Sequence, residues 1–174
     1  MTADEFKRNV LLMQKMTADS PVVNLFRQWG IVCTELPLPK MDIKDLPAHD
    51  FSGEHGEDAF IPSYIPVKPY DLTMKFAYKG DMDLYFANIF EGFIRYLVGN
   101  APSTEDYDSI TEGGFKIYDR HNCFGRQRVH FKNFDPDTLV HDTSGDHLSF
   151  KITFRFTDPM TAITLIDPDI KVTL

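Results

Sequence analysis

The sequence predicts a mainly β fold of the α+β kind, an antiparallel β-sandwich or partly closed barrel flanked by one main α-helix. Three stretches carry that expectation. Tyr70, Leu72, Met74, Phe76 and Tyr78 alternate with Asp71, Thr73 and Lys75, the period of a strand with one buried face. From Leu84 to Val98 the period changes. Phe86, Ile89, Phe90, Phe93, Ile94 and Leu97 fall at three- and four-residue steps, the stripe of an amphipathic helix. Leu148, Phe150, Ile152, Phe154 and Phe156 then alternate with Lys151, Thr153 and Arg155 in a second long strand. Strands and a helix that are each apolar on one side bury those sides against one another.

The chain of 174 residues is expected to form one domain, long enough to bury most of its apolar surface in a single core. Phenylalanine is abundant, 15 residues against the single Trp29, which fits a sheet packed with aromatic rings. A formal charge of -8 argues against a protein that grips nucleic acid by its phosphates, since such binding needs clustered Lys and Arg. It is compatible with a surface past which nucleic acid slides. Cys33 and Cys123 lie far apart and outside any C-x-x-C pair, so two free thiols in a reducing compartment are expected. No segment approaches the roughly 20 apolar residues of a membrane-spanning helix. The first residues, M-T-A-D-E-F-K-R-N-V, lack the basic-then-apolar order of a signal peptide, so a soluble protein made in the cytoplasm is expected.

Residues 1–40 read as an N-terminal arm with short helices. Phe6, Val10, Leu11 and Met13 would line one side of a helix begun at Thr2 or Asp4. A second helix would take Ser20 as cap and Pro21 as its first residue and run to Trp29-Gly30. I-V-C-T-E-L follows as a strand. An arm that orders only against a neighbouring subunit has the same appearance.

Residues 40–69 form a long polar, proline-rich contact loop with Gly53 and Gly56 set among acids. Phe60, Ile61, Tyr64 and Ile65 are too apolar for a free linker and are expected to lie against the barrel or against a partner. Residues 70–174 supply the barrel or sandwich, with the helix at 84–98. Asp83 or Asp81 caps that helix, and Gly99 offers a left-handed exit. Beyond an acidic connection, strands are expected at 115–119 and 126–131 around the H-N-C-F-G turn. A turn near D-P-D follows, then a hairpin of Thr138–His141 with the strand after T-S-G-D. Asp158-Pro159 ends that strand, and Ile170–Leu174 makes a last short one. There is no internal repeat.

Chemistry is sparse. His49, Glu54 and His55, with Asp50, Glu57 and Asp58, are the candidate metal ligands, because imidazole and carboxylate suit zinc, manganese or iron. The segment has neither helical nor strand spacing and no H-E-x-x-H, so a solvated turn is the plainer account. A small metal-dependent enzyme of barrel fold using this loop at 49–58, with His141 as a further candidate, is the alternative function. His141, Asp142, Asp146 and His147 flank a hairpin and read as turn chemistry. His121 and Cys123 allow a nucleophile pair, but two residues apart on a tight turn they point differently. Arg120, Arg126 and Arg128, with Lys116, Lys132, Lys151 and Arg155, fit the polar outer face of a sheet. The sharper account makes Arg126 and Arg128 part of a subunit contact or of a pore wall. No G-x-S-x-G, P-loop or dinucleotide motif is present; no catalytic residue and no cofactor is assigned.

Taken in order, D-I-K-D-L-P-A-H-D-F-S-G-E-H-G-E-D-A-F-I-P, Y-D-L-T-M-K-F-A-Y-K-G, F-K-I-Y-D-R-H-N-C-F-G-R-Q-R-V-H-F and D-H-L-S-F-K-I-T-F-R-F-T-D-P resemble a known pattern. It is that of the N-terminal belt domain of the distal tail proteins of long-tailed bacteriophages, which share a fold with tail tube proteins. The matching positions are Gly53 to Asp58, Tyr70 to Tyr78, Leu84 to Val98 and Phe150 to Pro159, within roughly residues 40–160. The first forty residues are not explained by it, and no second, carbohydrate-binding-like domain is expected within these 174 residues. The resemblance implies a non-enzymatic structural protein of a phage or prophage tail, in the distal tail, baseplate ring or tail tube. Its partners would be further copies of itself in a ring, most often a hexamer, together with neighbouring tail tube and tail tip proteins. DNA would pass through the lumen without specific binding. The implied place is the virion tail, after synthesis in the host bacterial cytoplasm and without membrane contact.

Overall fold

Seven antiparallel strands form the main sheet, in the order β2-β1-β7-β8-β9-β6-β3. They are β1 (Leu11–Lys15), β2 (Val23–Asn24), β3 (Ile31–Glu35), β6 (Tyr70–Tyr78), β7 (Gly114–Asp119), β8 (Phe124–Val140) and β9 (His147–Phe156). This computed structural model describes residues 11–17, 20–50, 52–53, 55–99, 113–140, 147–166 and 169–172. Two small hairpins stand apart from the sheet: β4 (Ala48–His49) with β5 (Asp58–Ala59), and β10 (Ile163–Ile166) with β11 (Asp169–Val172).

The two strands that the alternation predicts are neighbours in this sheet. β6 and β9 run antiparallel over nine registered pairs, from Tyr70 opposite Phe156 to Tyr78 opposite Leu148. Their inward residues meet as rings: Tyr70 stacks on Phe156 at 4.9 Å, and Phe76 stacks on Phe150 at 5.6 Å and meets Phe154 edge-on at 6.3 Å. Phe76, Phe154 and Phe156 are fully buried, each contributing on the order of 1.5–3 kcal/mol relative to exposure.

The helix predicted at 84–98 is present, with a different winding. A 3-10 turn, Met82–Leu84, capped by the Asp81 side chain on Asp83 N, leads into helix α2. α2 comprises a π-helical stretch, Ala87–Ile94, and an α-helical turn, Arg95–Val98. Ile89, Phe93 and Leu97 are its buried line, while Phe90 and Ile94 are half-buried. Gly99 ends it at φ +83° and ψ 170°, an extended glycine conformation and not the left-handed exit expected there. Helix α1 (Leu25–Trp29) lies beside it, with Trp29 5.4 Å from Phe93 and 5.2 Å from Tyr96. The indole lies against Gly92, where a Cβ would stand 2.6 Å from Trp29 Nε1.

Three local expectations are corrected. Leu11 and Met13 belong to β1, not to a helix; the earlier part of the expected helix falls at residues 2–10, outside the described residues. The run Leu11-Leu12-Met13 is apolar on both sides because β1 is covered twice. Leu11 and Met13 face the main core, while Leu12 joins Tyr118, Ile163 and Ile170 under the β10–β11 hairpin. A short apolar run of this kind does not distinguish a doubly buried strand from a helix. The second helix starts later than Ser20-Pro21: Asn24 is the cap, accepting from Phe26 N and Arg27 N, and Gly30 closes it in the left-handed conformation at φ +68°. Finally, D-P-D does not make a turn. β8 continues through Asp135, Pro136 and Asp137, with a register shift against β9 between Pro136 and Leu139. A bulge accommodates proline because a ladder donor is not needed there.

The other strand expectations agree. β3, β7 and the start of β9 at the far side of T-S-G-D stand where the alternation puts them, and β9 ends before Asp158-Pro159. The turn linking β8 to β9, residues 141–146, lies outside the described residues, as does the acidic connection at 100–112.

Candidate functional site

The proline-rich segment at 40–69 is an antiparallel two-stranded arm. Ile43 bridges Val67, Lys44 N donates to Pro66 O at 2.8 Å, and Lys68 N donates to Asp42 O at 2.7 Å. Further out, Phe60 N donates to Pro47 O at 3.0 Å, and Ala48 and His49 pair with Ala59 and Asp58. Gly53 and Gly56, at φ +102° and +92°, lie in the stretch joining β4 to β5. Prolines along both sides withhold donors, which keeps the ladder to isolated bonds. The Lys68–Asp45 ion pair at 2.9 Å crosses the arm in solvent.

The arm leaves its apolar residues uncovered. Phe60, Ile61, Tyr64 and Ile65 are 67%, 69%, 66% and 43% exposed, and Leu38 at the root is 92% exposed. Phe60, Ile61 and Tyr64 thus keep most of their surface in solvent, while more than half of Ile65 is covered.

A second apolar surface was not foreseen from sequence. Leu84 and Phe86 at the start of the helix are 53% and 57% exposed. Phe86 packs on Phe90 at 4.9 Å, and Phe90 meets Phe134 of β8 at 5.5 Å. The signal was available: the apolar stripe of 84–98 is wider than one buried face requires.

The basic residues are largely engaged within the chain. Arg126 donates from Nε to Pro159 O at 3.0 Å and from Nη1 to Gly125 O at 2.7 Å, with its guanidinium 4.9 Å over Phe124. The buried Tyr70 phenol is pushed up in pKa by that burial, against the nearby Arg126 charge. Arg128 is exposed at φ +52°, beside the β7–β8 register shift, and its carbonyl oxygen accepts from Thr157 Oγ1 at 2.7 Å. Lys116 reaches back to Ile170 O at 2.9 Å. On the outer face of β6, Asp71 accepts from Lys132 at 2.5 Å and from Arg155 at 3.1 Å. The Lys132 bond, helped by Arg155 and opposed by partial burial, holds the Asp71 carboxyl below the usual range. Glu35 raises the Lys75 ammonium in the same manner.

His49 and His55 are both exposed on the arm, and Glu54 lies outside the described residues. Among the described residues no group of three or more His, Cys, Asp or Glu stands close enough to share a metal ion. His141, Asp142 and Asp146 lie outside the described residues, and the side chain of His147 does too. At the β7–β8 turn, Asp119 holds the chain by accepting from His121 N at 2.9 Å and from Asn122 Nδ2 at 2.5 Å. Cys123, at φ +50°, is exposed, and its Sγ lies 3.9 Å from Arg120 O. Cys33 is a free thiol pushed up to about 12 by burial and then by the Asp119 charge, which makes it a poor nucleophile at neutral pH.

Among the described residues no helix is long and apolar enough to cross a membrane. No protein family matches the chain by sequence, and no curated protein matches it. The chain is similar in structure to the crystal structure of the SPP1 Dit protein, a hub of the adsorption apparatus in phages infecting Gram-positive bacteria. The two are 10% identical with a TM-score of 0.45, over 90% of this chain and 53% of the other, so this chain spans about half of that protein's length.

Proposed function

We propose that this protein is a structural component of a phage or prophage tail that works by assembling with copies of itself and performs no catalysis. The observation that carries this reading is the arm at 40–69, which projects Phe60, Ile61 and Tyr64 into solvent at about two-thirds exposure each. Monomeric proteins rarely leave contiguous apolar surface beyond a few hundred Å² uncovered, and larger patches mark contact sites. The sequence resemblance to the distal tail proteins supplies the setting: a ring, hexameric in that family pattern, between the tail tube and the tip, with DNA passing through its lumen. The open edges of the main sheet, β2 and β3, suit the same setting, because assembly covers unpaired strands.

The test is solution mass by light scattering across a concentration series, with negative-stain images of the same sample. Closed rings of about six subunits are expected from the closed symmetry of such assemblies. A monomer at every concentration, with activity that follows bound metal and is lost in His55→Ala, would replace this reading with the metal-enzyme alternative.

A further inference from the structure

We propose that the β10–β11 hairpin is a strap that opens from the main sheet as a unit of its own, and that Gln14 couples this opening to the β2 edge of the sheet. The strap does not depend on the assembly proposed above.

The hairpin is attached mainly by side chains. Its two strands pair with each other, from Ile163 opposite Val172 to Ile166 opposite Asp169, and join no strand of the main sheet. Among the described residues, the backbone bridge between Arg126 and Ala162 is what links its root to that sheet. Gly125 leaves the room that the root needs there, since a Cβ would stand 2.4 Å from Ile163 O.

The floor under the hairpin is one face of β1 and β7, on which two cross-strand pairs lie side by side. Leu12 opposite Tyr118 is apolar and, with Ile163 and Ile170, makes a small core separate from the main one. Gln14 opposite Lys116 is polar and grips the main chain of β11. Gln14 Oε1 accepts from Ile170 N at 3.2 Å, and Lys116 Nζ donates to Ile170 O at 2.9 Å. Side chains thus take both main-chain groups of Ile170, a role that a neighbouring strand fills in a continuous sheet.

Gln14 has a second attachment. It is 2% exposed, and its Nε2 donates to Ser20 O at 2.8 Å, in the connection leading to β2, and lies 3.5 Å from Asp169 Oδ1. Lys116 Nζ lies 3.4 Å from its Oε1. One amide therefore holds the strap with its oxygen and the β1–β2 connection with its nitrogen. A buried amide stays in one orientation when its partners at both ends are in place, and losing either leaves a polar group unmet. β2 has two paired residues, Val23 and Asn24, so the bond to Ser20 matters to its seat.

A two-stranded hairpin is marginal by itself, and an element with a small core and few ladder bonds opens at a lower free energy than the whole fold. Opening bares Leu12 and Tyr118 and loosens the β2 edge. The strap thereby sets whether this side of the sheet is closed or offers an apolar face.

Hydrogen exchange of the full-length protein, read on peptides by mass spectrometry, tests this. In the wild type, β10 and β11 should exchange together, at least about tenfold faster than β6 and β9. Gln14→Leu should speed the hairpin by about tenfold more and also speed the peptide bearing Val23 and Asn24, with β6 and β9 unchanged. Lys116→Met should speed the hairpin and leave the Val23–Asn24 peptide as it is. Lys116 is partly exposed, so this variant tests the strap even where Gln14→Leu yields no soluble protein. A hairpin that exchanges in step with β6 and β9, or whose two strands exchange independently of each other, would overturn the strap. A Val23–Asn24 peptide that Gln14→Leu leaves unchanged, or that Lys116→Met speeds equally, would overturn the coupling through Gln14.

Discussion

Lys15 donates from Nζ to the main-chain carbonyl oxygen of Tyr96, and its ammonium stands 4.5 Å from the centre of the same residue's ring. The lysine is 4% exposed on β1, and Tyr96 lies in the last turn of α2. Carbonyl groups at a helix C-terminus lack intrahelical donors and carry partial negative charge, so a cation is favourable there. One side chain thereby ties β1 to the end of the only long helix among the described residues. Lys15→Ala should cost about 2–4 kcal/mol, because it empties buried volume and removes the donor. Lys15→Met keeps the volume and should cost less than about 1.5 kcal/mol. Urea melts of both variants measure this; an unchanged midpoint for Lys15→Ala would remove the tie from the account.

The seat of Trp29 on Gly92 predicts a steric effect. A Cβ at Gly92 would lie 2.6 Å from Trp29 Nε1 and 2.7 Å from Cδ1. Gly92→Ala should therefore destabilise by about 1–3 kcal/mol, although alanine ordinarily favours a helix over glycine. Trp29→Phe should recover part of that loss in the double variant, and a double-mutant cycle would read the coupling. Strictly additive losses would show that the two residues do not meet.

Asp71 predicts an acid limb. Its carboxyl is held below the usual range by Lys132 and Arg155, against partial burial. A folded pKa below the unfolded one contributes stability that is present above the unfolded value, about 3.9, and lost as pH falls through the folded value. Asp158 is shifted the same way: burial raises it, but Thr161 N and Gln127 outweigh that and hold it low. Asp71→Asn should thus flatten, without abolishing, the fall in stability below about pH 4. The effect should shrink in about 1 M salt, because these groups are partly exposed and screened. An unchanged acid limb in the variant at low salt would contradict the assignment.

Removing residues 45–60 should leave the body folded and abolish assembly. The deleted stretch holds the β4–β5 hairpin, whose pairing is with itself and not with the main sheet. A melt within a few degrees of wild type, with monomeric mass, is the expected pair of results. Intact rings after the deletion would take the arm out of the assembly.

Core substitutions should rank by burial. Phe154 is fully buried and meets Phe115 edge-on at 5.7 Å, so Phe154→Asp should prevent soluble expression. Phe90 is half-buried beside Phe86, and Phe90→Asp should be tolerated better. Equal soluble yields from Phe154→Asp and Phe90→Asp would show that the helix is turned differently on the sheet.

Alternation by itself determined β6 and β9, down to which residues face inward, because a strand's side chains point to opposite faces at every step. The stripe at 84–98 likewise determined a helix and its buried line, Ile89, Phe93 and Leu97. What only the tertiary structure decided depends on residues distant in the chain. β1 is a strand because the β10–β11 hairpin, some 150 positions later, covers Leu12, so its apolar run has no solvent face to give it a period. Lys15 is buried because the helix end offers it a carbonyl and a ring, which nothing near it in sequence indicates. The seat of Trp29 on Gly92 arises from packing between two helices. The apolar content of the 40–69 arm was legible as composition; that Phe60, Ile61 and Tyr64 keep most of their surface in solvent was settled by the fold, because exposure belongs to the packed chain and not to the residue.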